Sequence, residues 1–465
     1  MISRRIAESV LTRSDLEDFH SWYEASHRTG FMHVEPVPLE ELKGWHTDPV
    51  TGNIGHESGG FYTIEGLDVH VPDRPISHWD QPIIHQPEIG VLGILVKEFD
   101  GVLHCLMQAK AEPGNHNGTQ LSPTVQATRS NYTRLHGGRE VPYLDYFRRT
   151  EGHVVISDVR QSEQGAWFYH KRNRNMVVEV REDVELLDGF HWLTLGDLHQ
   201  LLARDDLVNM DTRTVLSCLP FAGTGLLPSF APPADSFQDA LIRSYDGDPR
   251  SRHGTNAILS WITELRSLTR ITARRVPINR LTQWRRADGR ISHERGLFFE
   301  VVGVNVTAAG REVDRWMQPM ISAAEPGLAA LVVTRIDGVL HALMQARVEP
   351  GYVDVIELAP TVQCTPRNHE RLPPFVAEVL SAHPDQIRLD VTLSEEGGRF
   401  YQTRTRYLVV EVPSAEGLEG PAFRWMTLAQ LVDLLRHSNY LNIQSRSLVA
   451  CLHSLSGSVE RLSHV

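Results

Sequence analysis

Paired cysteines, long apolar runs and a surplus of basic residues are all missing from this sequence. Its four cysteines, at positions 105, 218, 364 and 451, show no pairing or Cys/His spacing typical of zinc sites, and we interpret them as buried thiols in a reducing cytoplasm. No run of about 20 apolar residues occurs, which excludes a membrane-spanning helix. The amino terminus lacks the apolar segment of a secretory signal. A net charge of −12 disfavours general nucleic-acid binding.

What the sequence does contain is a second copy of itself. Residues 101–126 return at 338–363 without a gap, and 16 of the 26 positions are identical. Matches at offsets of 232 to 239 residues extend the similarity on both sides. Because an internal duplication decides how everything else is interpreted, we predict two homologous domains at 10–222 and 248–455. A linker rich in Pro, Gly and Ser at 223–247 joins them.

Apolar periodicity predicts an α+β fold in each repeat. The β-prone runs 90–97 and 102–109 are separated by Glu-Phe-Asp-Gly, a hairpin signal that repeat two reproduces. Two further strands are predicted at 153–159 and 176–180. Leucines at helical spacing after Thr194 predict a helix with a threonine N-cap. Each domain would then be a mixed or antiparallel sheet with helices packed on it.

Several long segments resemble the NDP-hexose 2,3-dehydratases of deoxysugar biosynthesis. They are WDQPIIHQPEIGVLGIL, LMQAKAEPGN, LSPTVQATRSNY, SEQGAWFYHKRNRNM and NMDTRTVLSCL, in this order along the chain. The resemblance covers nearly the whole chain and implies a gene-duplicated, Nudix-like fold and a homodimer. It also implies that dTDP-4-keto-6-deoxy-D-glucose is the substrate, which loses water across C2 and C3 to give a 3,4-diketo-2,6-dideoxyhexose nucleotide.

The sequence departs from Nudix hydrolases in its acidic residues. A Nudix box, G-x5-E-x7-R-E-x2-E-E-x-G, holds Mg²⁺ through its glutamates, and no such run occurs here. We therefore expect no metal. No cofactor is expected either, since the reaction is an internal elimination and the chain has neither G-x-G-x-x-G after a strand nor a P-loop. The unstable diketo product implies a separate NAD(P)H-dependent 3-ketoreductase as the next enzyme in the pathway.

Polar positions that both repeats keep are candidates for binding a sugar nucleotide. An aromatic side chain would stack on thymine, and arginines would pair with the diphosphate. The alternative is a core position for each tryptophan and an exposed strand edge for the arginines. The shared pairs are Trp79/Trp316, Gln81/Gln318, Gln108/Gln345, Glu112/Glu349, Gln126/Gln363, Thr128/Thr365, Asn131/Asn368, Arg172/Arg404 and Arg174/Arg406.

Other polar positions change in repeat two, and nearly every change removes a titratable or hydrogen-bonding group. These pairs are His85/Ser322, Lys110/Arg347, Asn115/Tyr352, His116/Val353, Arg129/Pro366, Tyr132/His369 and Lys171/Thr403. Repeat one therefore has the composition of a working site. We predict that repeat two keeps a remnant nucleotide-sugar pocket, with Arg347 and Glu349 among its residues.

The elimination requires a general base for the C3 proton, a general acid for the departing C2 hydroxyl, and donors to the enolate oxygen. Lys110 and Glu112 are the first candidates because residues two apart in a strand share a face. Arginine cannot replace a lysine that exchanges a proton. A structural ion pair is the alternative, which the survival of Glu349 favours. His85 and His116 are the other candidates for the base.

Two other functions stay open. A catalytically retired sugar-nucleotide-binding protein would keep the shared residues without needing those confined to repeat one. A sugar-nucleotide hydrolase would need a carboxylate-rich metal site.

Overall fold

The computed structural model describes residues 2–72, 75–128, 140–230, 233–246, 250–308 and 313–457. This part of the chain is an α+β protein with ten α-helices. They are α1 Ile2–Val10, α2 Glu17–Thr29, α3 Asp145–Arg148, α4 Leu195–Leu201, α5 Met210–Ser217, α6 Ser236–Tyr245, α7 Thr255–Leu268, α8 Val376–Leu380, α9 Leu428–Leu435 and α10 Ile443–Ser454. No helix among the described residues has the length and apolar character to cross a bilayer.

The strands follow the same order in the two halves of the chain. The first half has β1 Met32–Val37, β2 Trp45–Thr47, β3 Ile54–His56, β4 Thr63–His70, β5 His78–His85, β6 Gly90–Phe99, β7 Val102–Ala111, β8 Thr119–Ser122, β9 Val125–Ala127, β10 Val154–Ser162, β11 Arg172–Val180 and β12 Phe190–Thr194. The second half has β13 Thr272–Val276, β14 Trp284–Ala287, β15 Arg290–His293, β16 Phe299–Ala308, β17 Arg315–Ala323, β18 Gly327–Ile336, β19 Val339–Val348, β20 Ile356–Ala359, β21 Val362–Cys364, β22 Ile387–Ser394, β23 Arg404–Glu411 and β24 Phe423–Thr427.

Each half builds a seven-stranded mixed sheet of the same topology. The first has the order β10-β11-β6-β7-β12, with β8 beside β7 and β9 beside β6. The second has the order β22-β23-β18-β19-β24, with β20 and β21 in the corresponding places. In each sheet one central pair is parallel, β11 with β6 and β23 with β18. The predicted hairpin is confirmed by the antiparallel pairing of β6 with β7.

Two smaller sheets contain strands from both halves. Strand β1 of the first half pairs antiparallel with β16 of the second, and β13 of the second pairs with β4 of the first. Gly66 and Gly303 allow these close pairings. An added Cβ would lie 2.8 Å from the carbonyl oxygen of Val276 at Gly66, and 2.6 Å from that of Val37 at Gly303. The two repeats therefore exchange one edge strand each.

Helices pack between the two large sheets and give the halves a common core. Helix α5 contacts α10 across the repeats, and one apolar cluster includes Leu216 and Leu448 together with residues of β6 and β18. The predicted helix after Thr194 is confirmed, because the Thr194 hydroxyl accepts a hydrogen bond from the backbone N–H of Asp197 at 3.0 Å. Segment 223–247 is not an extended connector. Its helix α6 packs on β19, with Tyr245 fully buried.

Strands β10 and β11 reach further into the polar sequence than the apolar runs 153–159 and 176–180 predicted. The reason is that their polar ends are themselves buried, as Gln161, Ser162, Asn173 and Asn175 show. Alternation of apolar side chains fails as a signal where polar side chains line an internal site.

Candidate active site

A cavity of about 300 Å³ lies over the repeat-one sheet. Strands β6, β7 and β11 form one wall, together with β9. Repeat two contributes the beginning of β17 and the loop after β22. The cavity therefore combines residues from both repeats. Ile321 of β17 exchanges backbone hydrogen bonds with Arg399 and Tyr401 of the repeat-two loop, so strand and loop reach the cavity together.

Glycines allow the two halves to meet at the cavity. The N–H of Gly114, in the sequence Glu-Pro-Gly-Asn after β7, donates to the carbonyl oxygen of Gly397 at 2.7 Å. An added Cβ on Gly114 would lie 1.8 Å from the carbonyl oxygen of Phe400. No other residue fits this contact, which fixes the repeat-two loop 395–402 against the end of β7.

Lys110 and Glu112 both line the cavity, with Nζ of the lysine 3.7 Å from Oε1 of the glutamate. The amide nitrogen of Gln126 donates to Glu112 at 2.8 Å, and the amide oxygen of Gln126 accepts from Asn209 at 3.1 Å. The hydroxyl of Ser122 donates to the same oxygen. These bonds determine the orientation of Gln126, which in turn holds the Glu112 carboxylate beside Lys110.

Lys171 forms a second cationic position. Its ammonium donates to the carbonyl oxygen of Glu88, and the side chain is almost completely buried. Burial lowers the pKa of Lys171 to about 8, although the nearby Glu163 carboxylate opposes this shift. Burial likewise raises the pKa of Glu163, whose Oε1 accepts from Asn173 at 2.6 Å. A proton on Lys171 is therefore gained or lost close to neutral pH.

Two further carboxyl groups line the cavity, Asp211 from α5 and Glu396 from repeat two. Oδ1 of Asp211 and Oε2 of Glu396 are buried without a hydrogen-bond partner among the described residues. Burial raises the pKa of Asp211 well above its usual range and that of Glu396 to about 7, with the Glu112 charge adding to the second shift. Both sites favour a carboxyl group that can hold a proton near neutrality.

An aromatic and a cationic side chain from repeat two complete the lining. Trp316 donates from its indole nitrogen to Gln318, which donates in turn to the carbonyl oxygen of Gly398 at 2.7 Å. The guanidinium carbon of Arg399 lies 4.3 Å from the ring centre of Tyr62, a cation–π contact. Trp316 was predicted for a second pocket, and the structure places it, together with Gln318, in the lining of the repeat-one cavity.

The corresponding Trp79 and Gln81 do not line this cavity. The carbonyl oxygen of their neighbour Asp80 accepts from the indole of Trp284, so this part of β5 packs with the repeat-two strands. Gln81 donates to the carbonyl oxygen of Ala166 at 2.6 Å. The structure therefore places neither Trp79 nor Gln81 at this cavity.

Both histidines predicted as possible bases lie outside the cavity lining. His85 accepts from Arg275 of the exchanged strand at 2.8 Å and lies 3.4 Å from Glu65. His116 is exposed at the surface. These assignments are corrected, since an imidazole that does not face the cavity cannot reach a proton of a bound sugar.

The other repeat-one candidates divide between the cavity, its supports and the surface. Gln108 and Thr128 line it. Asn115 lies behind the lining, where its amide donates to the carbonyl oxygen of Gly118 at 2.7 Å. Arg174 forms a two-pronged ion pair with Asp158 at the outer strand of the sheet, and Arg172 on the same strand is also outside the lining. Arg129, Asn131 and Tyr132 lie outside the described residues.

The repeat-two candidates reproduce the hydrogen bonds around the strand-end glutamate, but an arginine takes the place of the lysine. Arg347 donates to Glu349 at 2.8 Å, and Gln363 donates to the same carboxylate at 3.0 Å. Asn442 fixes Gln363, and its amide also donates to the hydroxyl of the buried Tyr352.

The remaining residues predicted for the second pocket have mixed surroundings. Asn368 accepts from the N–H of Phe298, Arg404 lies 3.4 Å from Asp206, and Arg406 pairs with Asp390 on the outer strand. Gln345 lies in β19, and Thr365 directly follows β21. The arginines are thus engaged with carboxylates of the protein.

Sequence reasoning missed Glu163, Asp211, Glu396 and Arg399. For Asp211 a signal was present, since repeat two has Gln444 at the matching place. For Glu396 the matching residue is Gln164, a difference in which the titratable group belongs to repeat two. Within the described ranges, no three His, Cys, Asp or Glu side chains are grouped as a metal site would require.

The sequence matches the model of a protein family twice, at residues 16–219 and 255–452, and that family is the NDP-hexose 2,3-dehydratases. The chain belongs to this family. Three relatives carry the name dTDP-4-dehydro-6-deoxy-alpha-D-glucopyranose 2,3-dehydratase. The protein of Saccharopolyspora spinosa is 49% identical over 97% of this chain and 95% of its own length. That of Amycolatopsis orientalis is 44% identical over 97% and 93%, and that of Streptomyces violaceoruber 43% over 95% and 98%.

Both matches to the NDP-hexose 2,3-dehydratase family fall on residues that build the same seven-stranded sheet. The cavity, however, is formed by the two matched regions together. Lys110 and Lys171 come from the first region, and Trp316 and Glu396 come from the second. In this chain both regions contribute to the same cavity.

Proposed function

We propose that this protein is a dTDP-4-keto-6-deoxy-D-glucose 2,3-dehydratase, a hydro-lyase of deoxysugar and antibiotic biosynthesis. The observation that carries the proposal is one cavity that holds two lysines and several buried carboxyl groups, in a member of the NDP-hexose 2,3-dehydratase family. An elimination from a β-hydroxy ketone requires such a collection of proton donors and acceptors.

The reaction proceeds by proton transfer within the sugar. A base takes the C3 proton, and the electron pair moves onto the C4 carbonyl oxygen. The C2–O bond then breaks, and the departing hydroxide takes a proton from an acid to leave as water. The remaining C3 enol gains a proton at C2, loses the proton of its hydroxyl group and becomes the second ketone. Lys110 and Glu112 are our candidates for the groups that transfer these protons, since both side chains face the cavity and lie 3.7 Å apart.

The rest of the lining suits a sugar nucleotide. Trp316 offers an aromatic surface for thymine, and Lys171 and Arg399 offer cations for the diphosphate. Gln108, Gln126 and Thr128 supply hydrogen-bonding groups along the wall for the sugar hydroxyls. Arg129, Asn131 and Tyr132 keep their predicted role as further contacts.

The direct test is incubation with dTDP-4-keto-6-deoxyglucose in D₂O, with the products analysed by mass spectrometry and NMR. We expect loss of one water and deuterium at C2. Lys110→Ala serves as the matched variant, which should still bind the substrate but should not convert it. Release of dTMP would establish the hydrolase alternative, and tight dTDP binding without any turnover would establish the retired binding protein.

The finer architecture is also a proposal. The identical strand order of the two large sheets supports duplicated Nudix-like domains at 10–222 and 248–455, with 223–247 between them. We place the protein in the cytoplasm, which agrees with free thiols at its four cysteines. We further propose a homodimer, and a separate NAD(P)H-dependent 3-ketoreductase that consumes the unstable diketo product.

A further inference from the structure

The loops after β10 and β22 reach into each other's repeats. The carbonyl oxygen of Gly397 accepts from Gly114, and by the mirrored contact that of Gly165 accepts from Gly351, both at 2.7 Å. Each loop therefore lies against the Glu-Pro-Gly segment of the opposite repeat. The second residue of the repeat-two loop, Glu396, thereby reaches the cavity over the repeat-one sheet.

At that position the two loops differ in one functional group. The sequence is Ser-Glu-Gln in repeat one and Ser-Glu-Glu in repeat two, so Gln164 corresponds to Glu396. Because the loops are exchanged, the carboxylate of Glu396 enters the repeat-one cavity. The amide of Gln164 is instead held inside the protein, where it donates to Glu395 at 2.7 Å.

Among the described residues, only one oxygen of the Glu396 carboxylate has a hydrogen-bond partner. Its Oε1 accepts from the N–H of Gly398 at 2.9 Å, while Oε2 is buried without a hydrogen-bond partner among the described residues. The Glu112 carboxylate differs, because its Oε1 already accepts from Gln126. Oε2 of Glu396 is therefore a carboxylate oxygen in the cavity that accepts no hydrogen bond from the described residues, whereas Oε1 of Glu112 already accepts one.

We propose that Glu396 is the catalytic base of the repeat-one cavity, supplied to it by repeat two. The proposal rests on the dehydratase function above. The carboxylate takes the C3 proton as the electron pair moves to the C4 carbonyl oxygen, and the Lys110 ammonium gives a proton to the departing C2 hydroxide. Glu112 holds Lys110 in place. The Glu396 carboxyl group exchanges its proton with solvent and protonates C2, while the enol hydroxyl gives its proton to the neutral Lys110 amine, so that the second ketone forms and both side chains return to their starting states.

The electrostatics of the cavity agree with this role. Burial and the charge of Glu112 raise the pKa of Glu396 to about 7, and the Arg399 guanidinium limits the shift. A base works best when its pKa lies near the working pH, because it is then both ionised and strong enough to take the proton. Burial and the nearby Glu163 carboxylate raise the pKa of Asp211 well above its usual range, which disfavours the ionised form that a base requires.

The test is Glu396→Gln, which gives repeat two the amide that repeat one already carries. We expect kcat to fall at least ~10²-fold and the rise of kcat with pH near 7 to disappear. The dissociation constant for dTDP and the melting temperature should stay close to wild type. Glu396→Asp should keep the pH dependence at a reduced rate. Gln164→Ala is the matched control in the opposite loop and should retain most of the wild-type kcat.

Two results separate the possible failures. If wild type and Glu396→Gln both form the dehydrated product at similar rates, the role of Glu396 is overturned and the proposed function stands. If wild type releases no water from the keto sugar, the function itself fails and this role fails with it. Loss of dTDP binding in Glu396→Gln would also overturn the proposal, because it would show a contribution to binding.

Discussion

Arg213 and Ser394 are 181 residues apart and belong to different repeats, yet the guanidinium of Arg213 donates to the carbonyl oxygen of Ser394 at 2.9 Å. The Arg213 side chain is fully buried and also donates to the carbonyl oxygen of Val208. Arg446 forms the mirrored bond to Ser162. Each arginine therefore binds the residue that immediately precedes the exchanged loop of the other repeat.

Replacing Arg213 by methionine should lower the free energy of unfolding by roughly 2–4 kcal/mol, because buried carbonyl acceptors lose their partners. Urea denaturation measures this change. Arg446→Met is the matched variant and should be destabilised to a similar extent. An Arg213→Met protein as stable as wild type would contradict the view that these arginines join the repeats.

Lys110→Ala and Glu112→Ala should each reduce kcat at least ~10²-fold, since Lys110 is expected to transfer a proton and Glu112 to act with it. The corresponding changes Arg347→Ala and Glu349→Ala should leave most of the turnover. Steady-state kinetics, with circular dichroism to verify folding, tests this difference. Equal losses in the two pairs would mean either that both repeats are catalytic or that these ion pairs are structural, and the melting temperatures decide which.

Binding of dTDP should weaken as the pH rises through about 8. Burial lowers the pKa of Lys171 to about 8, so the side chain is a cation below this pH and neutral above it. Loss of one charge-assisted contact corresponds to about tenfold or more in affinity. Calorimetry between pH 7 and pH 9.5 measures the effect. Lys171→Arg keeps its charge throughout this range and should bind dTDP equally well at both ends.

Two dTDP molecules should bind to each chain if repeat two keeps a remnant pocket. There, the hydrogen bonds among Arg347, Glu349 and Gln363 resemble those of the matching residues in repeat one. Calorimetry should give a tight and a weak site in wild type, and Arg129→Ala/Lys171→Ala should remove the tight one. A single site in wild type would show that the residues shared by the repeats serve the fold alone.

Chelation of metal ions should leave the activity unchanged, because every proton transfer in the proposed reaction uses a side chain of this chain. The measurement is turnover after dialysis against EDTA, compared with the same protein supplemented with Mg²⁺. Activity that disappears with EDTA and returns with Mg²⁺ would require a different mechanism.

Local sequence signals predicted the elements of the fold well. The Glu-Phe-Asp-Gly turn predicted the β6–β7 hairpin, and Thr194 predicted the start of α4. These features depend on a few neighbouring residues. The exchange of β1 and β13 has no such signal, since it is decided by pairings between residues more than 200 positions apart.

The site could be predicted only in part for the same reason. Lys110, Gln126 and Lys171 were found by comparing the repeats, because they line the cavity of their own half. Trp316 was assigned to a second pocket and Glu396 was not considered, since a comparison of the repeats does not show whether a pocket combines residues of both. His85 was chosen for its residue type and for its replacement by Ser322 in repeat two, and its position beside Arg275 depends on the exchanged strand.

The reciprocal exchange of β1 and β13 also determines when the protein can complete its fold during synthesis. Strand β4 can pair fully with β13 only after residue 276 has been synthesised. Strand β1 can pair with β16 only later still. Until then the first half carries open strand edges, which are prone to pair with other chains. Contacts between such distant residues form slowly. The first half synthesised alone would therefore keep these strand edges exposed and be prone to aggregate. Each half thus depends on the other to complete its fold.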